Sequence, residues 1–75
     1  MKKYEGLKFR FYSLGLTFQE FGFDNENEIP NEGAKGEILN ISVEISDKFE
    51  DNYYDIKMEN GEIIYSISGE HLNLM

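Results

Sequence analysis

The stretch 53-YYDIKMENGEIIYSI-67 decides how this chain reads, because two runs of β-branched and aromatic residues flank Asn60-Gly61. A two-residue type I′ turn needs positive φ at both central positions, which Asn-Gly tolerates well. Such a turn predicts a hairpin in which 59 faces 62, 58 faces 63, 56 faces 65 and 54 faces 67. Met58/Ile63, Ile56/Tyr65 and Tyr54/Ile67 then share the core face. Asp55, Lys57, Glu59, Glu62, Ile64 and Ser66 fall on the outer face, with Glu59 directly across from Glu62. A like-charge pair so placed weakens a hairpin by a few tenths to roughly 1 kcal/mol. A cost kept in so small a domain points to a surface selected for contact.

The same alternation recurs along the chain. LKFRFY, residues 7–12, sets Leu7, Phe9 and Phe11 against Lys8, Arg10 and Tyr12 and predicts a first strand. EILNISVEIS, residues 37–46, predicts a long strand with Leu39, Ile41, Val43 and Ile45 inward and Ile38, Asn40, Ser42 and Glu44 outward. In LTFQEFGF, residues 16–23, Thr17 and Glu20 match a capping box for one helical turn ending at Gly22, while Phe21 and Phe23 suit a strand. The strand, bent or bulged, is the favoured reading. Residues 24–35, with the only proline, read as an exposed acidic loop, and DKFEDN, residues 47–52, as a polar turn in which Phe49 folds back over the sheet or starts a short helical turn. Ser68-Gly69-Glu70 breaks the chain before a last short strand carrying Leu72 and Leu74. The fold class expected is mainly β: one domain, residues 1–75, with a small antiparallel sheet or a partly open barrel and at most one short helical turn.

From Gly36 onward, the long strand, acidic turn, tight hairpin, SGE break and closing HLNL resemble the later strands of small SH3-like barrels of the Tudor or KOW type. The resemblance covers residues 36–75 and implies a binding module rather than an enzyme. Fold alone supplies no target.

Composition narrows the chemistry. There is no cysteine, hence no disulfide, thiolate nucleophile or finger-type zinc site, and a reducing cytoplasm fits. Charged residues interrupt the basic start MKKYEGLKFRFYSLGL, so no signal peptide is expected, and no run is long enough to span a membrane. His71 is the only histidine; Ser66 and Ser68 lie near it in sequence but in no nucleophile elbow. Asp24, Glu26 and Glu28 open like a calcium loop, but the sixth and twelfth positions are Ile29 and Lys35 instead of glycine and an acid. The GAKG run at 33–36 lacks the glycine loop and Lys-Ser/Thr ending that cradle phosphates. No catalytic residue, metal or cofactor is expected.

Charge supplies the functional expectation. Lys2, Lys3, Lys8 and Arg10 against Glu5 leave residues 1–10 at plus 3, while residues 11–75 hold fourteen acids and three bases, minus 11, for a total of minus 8. Such a field disfavours direct binding to DNA or RNA and favours a basic partner surface. The expected partner-binding residues are Glu44, Asp47, Glu50, Asp51, Asp55, Glu59 and Glu62, with Tyr53 and Ile64 as exposed apolar contacts. The first reading is an acidic decoy that imitates nucleic acid and inhibits a nucleic-acid-binding protein; in composition the chain is similar to small acidic phage-encoded inhibitors. The second is an SH3-like peptide-binding or scaffold module using some of the eleven aromatics, with Tyr4, Tyr12 and Tyr53 set opposite the core alternation. Those tyrosines form either an interface or a second layer of core. Outward isoleucines and the small core predict a homodimer.

Overall fold

The computed structural model describes residues 3–75. Lys2, one of the basic amino-terminal residues, lies outside the described residues. The fold is mainly β, with five antiparallel strands in one open sheet: β1 Lys8–Phe11, β2 Lys35–Val43, β3 Tyr53–Met58, β4 Ile63–Ser68 and β5 Leu72–Leu74, in the order β4-β3-β2-β1-β5. Three single 3-10 turns interrupt the connections, at Glu26–Glu28, Phe49–Asp51 and Gly69–His71.

The segment 16–23 resolves in favour of the capping box. Phe18–Phe21 forms one helical turn, α1, in which the Thr17 hydroxyl accepts from the Glu20 amide and the Glu20 carboxylate accepts from the Thr17 amide at 3.0 Å. Gly22, at φ +88°, ends it in the left-handed conformation. The expected bent strand is therefore not formed. Local capping outweighs alternation here because both ends of the turn are satisfied without a neighbouring strand, and Phe21 and Phe23 still reach the core.

That core comprises Phe9, Phe11, Ile38, Tyr54, Ile56, Met58, Ile64, Ile67 and Leu72. Burying a side chain of this size contributes roughly 1.5–3 kcal/mol. Gly36 is needed for packing: a Cβ there would lie 2.7 Å from the Phe9 ring and 2.8 Å from the Lys57 carbonyl.

Two expected registers are corrected. The hairpin closes on a three-residue loop rather than a type I′ turn: the Gly61 amide donates to the Met58 carbonyl at 2.9 Å and the Met58 amide to the Glu62 carbonyl at 2.8 Å. Only Gly61 takes positive φ, +92°, while Asn60 uses its side-chain oxygen to accept from the Glu62 amide at 2.9 Å. A type I turn followed by a left-handed residue fits this pattern. The pairs become Lys57 with Ile63 and Ile56 with Ile64, so Glu59 does not face Glu62. Ile64, expected outside, is buried, whereas Ile63 and Tyr65 are 45% and 71% exposed. This register buries an isoleucine and leaves the tyrosine hydroxyl in water, where it needs no buried partner. A bulge opposite Asp55, with Ser66 at φ +54°, then restores the expected pair Tyr54 and Ile67.

β2 carries two register shifts against β3, between Ile38 and Asn40 and between Ile41 and Val43. Each shift inverts the side-chain alternation that follows. Gly36 and Ile38 therefore point inward and Ile41 packs on the core, while Val43 and Ile45 are 50% and 64% exposed. Tyr4 and Phe49 supply the second layer of core: their rings meet edge to face at 5.0 Å, and Phe49 stacks on Tyr54 at 4.5 Å.

Candidate interaction surface

The acidic residues singled out by sequence fall into two groups at opposite ends of the β2–β3 ladder. Glu44, Asp47, Glu50 and Asp51 lie beyond the Val43–Tyr53 pair; Glu59 and Glu62 lie beyond the Gly36–Met58 pair. With a rise of about 3.3 Å per residue, the six residues of β3 hold the groups roughly 17–20 Å apart.

Asn52 shapes the first group. Fully buried, it accepts at Oδ1 from the amides of Ile45 at 2.6 Å and Ser46 at 3.1 Å, and donates from Nδ2 to the Ser46 carbonyl at 3.1 Å. The Ser46 hydroxyl donates to Asp51 at 2.7 Å, and Lys3 lies 3.8 Å from Glu44. All four carboxylates of this group remain exposed.

Asp55 has a different role. It is half-buried, and its carboxylate accepts from the Ser66 amide at 3.0 Å, holding the bulge in β4. Ile64 is in the core and takes no part in a surface. Tyr53 is 39% exposed and borders a groove.

Two shallow grooves flank the Gly69–His71 turn and share Glu70 as a rim. One, about 530 Å³, runs between the segment after β1 and the Phe49–Asp51 turn, over Leu14, Phe49 and Leu72, with Tyr12 and Glu50 at its sides. The other, about 350 Å³, lies between α1 and β4, over Phe21 and Ile67, with Glu20, Tyr53 and Ser66 at its sides. Among the described residues no lysine or arginine lines either groove. His71 lines the second and ties its turn to the segment after β1: its Nδ1 is 2.9 Å from the Tyr12 carbonyl, an acceptor, so Nδ1 donates, and its ring lies 4.7 Å from Phe21. Gly69 allows the turn to sit against the core, since a Cβ there would run into the Phe49 carbonyl.

The serines near His71 have other partners. The Ser66 hydroxyl bonds that of Ser42 at 2.7 Å, and Ser68 accepts from the Glu70 amide at 3.3 Å. Glu32 accepts from the Ser13 amide at 2.9 Å. Hydrogen bonds from the Ser13 side chain and amide hold its carboxyl below the usual glutamate range. Among the described residues no three His, Cys, Asp or Glu side chains gather as metal ligands, and no helix is long and apolar enough to cross a membrane.

Sequence reasoning missed Glu20, Leu14, Asn52 and Glu70. The capping box and the SGE break mark Glu20 and Glu70 as turn residues, but their convergence depends on segments about fifty residues apart meeting at the last turn. No family model, curated protein or solved structure matches the chain.

Proposed function

We propose that this chain is a non-catalytic, acidic interaction protein that binds an extended basic segment of a partner protein in the grooves beside the Gly69–His71 turn. One observation carries the reading: the two grooves combine apolar floors with Glu20, Glu50 and Glu70, and among the described residues no lysine or arginine lines either of them. Their volumes fall within the range of roughly 300–1,000 Å³ typical of ligand sites. Apolar anchors with carboxylates at the rim suit a peptide in which arginine or lysine alternates with apolar residues. In this reading the chain is a small SH3-like binding module, after the resemblance of residues 36–75.

The decoy reading, a nucleic-acid mimic that inhibits a nucleic-acid-binding protein, requires a continuous negative track. Its acids stand in two groups, and Lys57 shares the outer face of β3 with Asp55, so this reading has less support. One titration separates the two. Labelled protein is mixed with a short peptide of alternating arginine and leucine and, separately, with a basic DNA-binding protein in the presence of duplex DNA. The peptide is expected to shift the amide resonances of Tyr12, Leu14, Glu50, Glu70 and Leu72. Glu50→Lys/Glu70→Lys is expected to weaken binding about tenfold or more, since tenfold corresponds to only about 1.4 kcal/mol. Perturbations confined to the Glu59–Glu62 loop, with DNA competing for the basic protein, would favour the decoy and reject the grooves.

A further inference from the structure

Four of the seven cations of this acidic chain share one face of the sheet. Ladder partners across β1, β2 and β3 form two rows on the outer face: Lys8, Glu37 and Lys57 in one, Arg10 and Lys35 in the other, where the Glu59 amide donates to the Lys35 carbonyl. Residues directly opposite one another, and residues two apart on a strand, share a face. Four cations against Glu37 and Glu59 make this patch plus 2, which leaves the rest of the chain at minus 10 given the total of minus 8. Lys8, Lys35 and Lys57, together with Glu37 and Glu59, line a concavity of about 320 Å³ that also touches Met58, and Ile63, 45% exposed, pairs with Lys57 on the neighbouring strand.

A complementary patch occupies the far end of the same ladder. There Glu44, Asp47, Glu50 and Asp51 against Lys48 and Lys3, which lies 3.8 Å from Glu44, make minus 2, beside the exposed side chains of Val43 and Ile45. Each patch thus pairs charge with an exposed aliphatic group, and the signs are opposite. Because they lie at opposite ends of β2 and β3, one molecule cannot bring them together.

We propose that the outer face of β1–β3 is a docking surface for the acidic 44–51 end of a second copy of this chain, joined head to tail. A nucleic acid is the less fitting occupant, since a net of minus 10 surrounds the patch and repels a phosphate backbone. Unlike patches in contact generate an open chain or a ring rather than a two-fold dimer. The cationic face is separate from the grooves beside the Gly69–His71 turn, whereas the acidic end shares Glu50 with the first groove; Glu44 and Asp47 line neither groove, so variants there and at Lys35 and Lys57 test the self-contact apart from the grooves.

Sedimentation equilibrium tests it. The mass of the wild-type protein is expected to rise with concentration at about 0.01 M salt and fall to that of one chain at about 1 M, as the screening length drops from roughly 30 to roughly 3 Å. Lys35→Glu/Lys57→Glu and Glu44→Lys/Asp47→Lys, each checked for native circular dichroism, are expected to be monomeric alone. Mixed in equal amounts they are expected to form a capped pair of two chains, because each keeps the patch the other has lost. A wild-type monomer at high micromolar concentration in low salt would overturn the proposal. So would a dimer indifferent to both variants, which would point to pairing through the β4 edge. Heparin retention by a monomeric wild type, lost in Lys35→Glu/Lys57→Glu, would also overturn it and assign the face to a polyanion.

Discussion

At the scale of single residues, Asn52 and Tyr54 hold the acidic turn in place. The Asn52 amide serves two backbone donors and a carbonyl, and the Tyr54 hydroxyl donates to the Phe49 carbonyl at 2.8 Å. A buried group left without its partner costs about 1–3 kcal/mol, so Asn52→Ala is expected to lower the unfolding free energy by about 3 kcal/mol, read from urea melts. Burial, opposed in part by a hydrogen bond from Asn52, raises the Tyr54 phenol above the usual tyrosine range. A raised native value gives stability that is complete below the ordinary tyrosine pKa and is lost as pH climbs through the raised one. Tyr54→Phe is therefore expected to flatten the alkaline limb of the stability profile; an unchanged limb would mean that other groups set it. Glu32 has the opposite sign. Its lowered native value gives a contribution present above the ordinary glutamate range and lost as pH falls through the native one. Carbon NMR of its carboxyl is expected to show a midpoint below that of a free glutamate, and Ser13→Ala should move it back toward normal.

At the scale of elements, the β3–β4 register makes a sharp prediction, because neighbouring isoleucines have opposite environments. Ile64, 5% exposed, lies in the core, and Ile63, 45% exposed, lies outside it. Ile64→Ala is expected to cost about 2–4 kcal/mol, and Ile63→Ala about 0.5 kcal/mol or less. The reverse order would restore the two-residue hairpin that Asn60-Gly61 suggests. The sequence makes plain that strands exist near 7–12, 37–46, 53–58, 63–67 and 72–74, since alternation and turn residues are local signals. Register is not local. Asn-Gly is compatible with both loops, and the choice rests on which of Ile63, Ile64 and Tyr65 the distant Phe9 and Ile38 leave room for. The β2 shifts are hidden for the same reason, because LNISVEI alternates cleanly while the twisted sheet requires bulges. The acidic turn was legible as exposed carboxylates, but the grooves were not, since they form only when residues 12–23 meet the Gly69–His71 turn.

At the scale of the whole molecule, the sign of the response to salt follows from weighing two small terms. The described residues contain two ion pairs, Lys3–Glu44 at 3.8 Å and Lys8–Glu37 at 3.6 Å, all with well-exposed side chains. Exposed pairs contribute about 0–1 kcal/mol each and weaken with screening. Against them stands the self-repulsion of fifteen acids facing seven bases, which screening also relieves. Repulsion involves the whole surface and the pairs only two contacts, so the melting temperature is expected to rise as salt goes from about 0.01 to about 0.15 M. Lys35→Glu/Lys57→Glu sharpens the comparison. Each substitution changes the charge by minus 2, taking the net from minus 8 to minus 12 and turning the cationic face of β1–β3 acidic. Neither lysine belongs to an ion pair among the described residues, so at protein concentrations low enough to keep the wild type monomeric the variant isolates the field of the molecule. It should melt lower than wild type in dilute buffer and recover most of the difference as salt is added. If instead the wild type loses stability with salt while the variant is indifferent, the Lys8, Lys35 and Lys57 face stabilises the fold through its own attraction to Glu37 and Glu59, and its availability for a second copy falls accordingly.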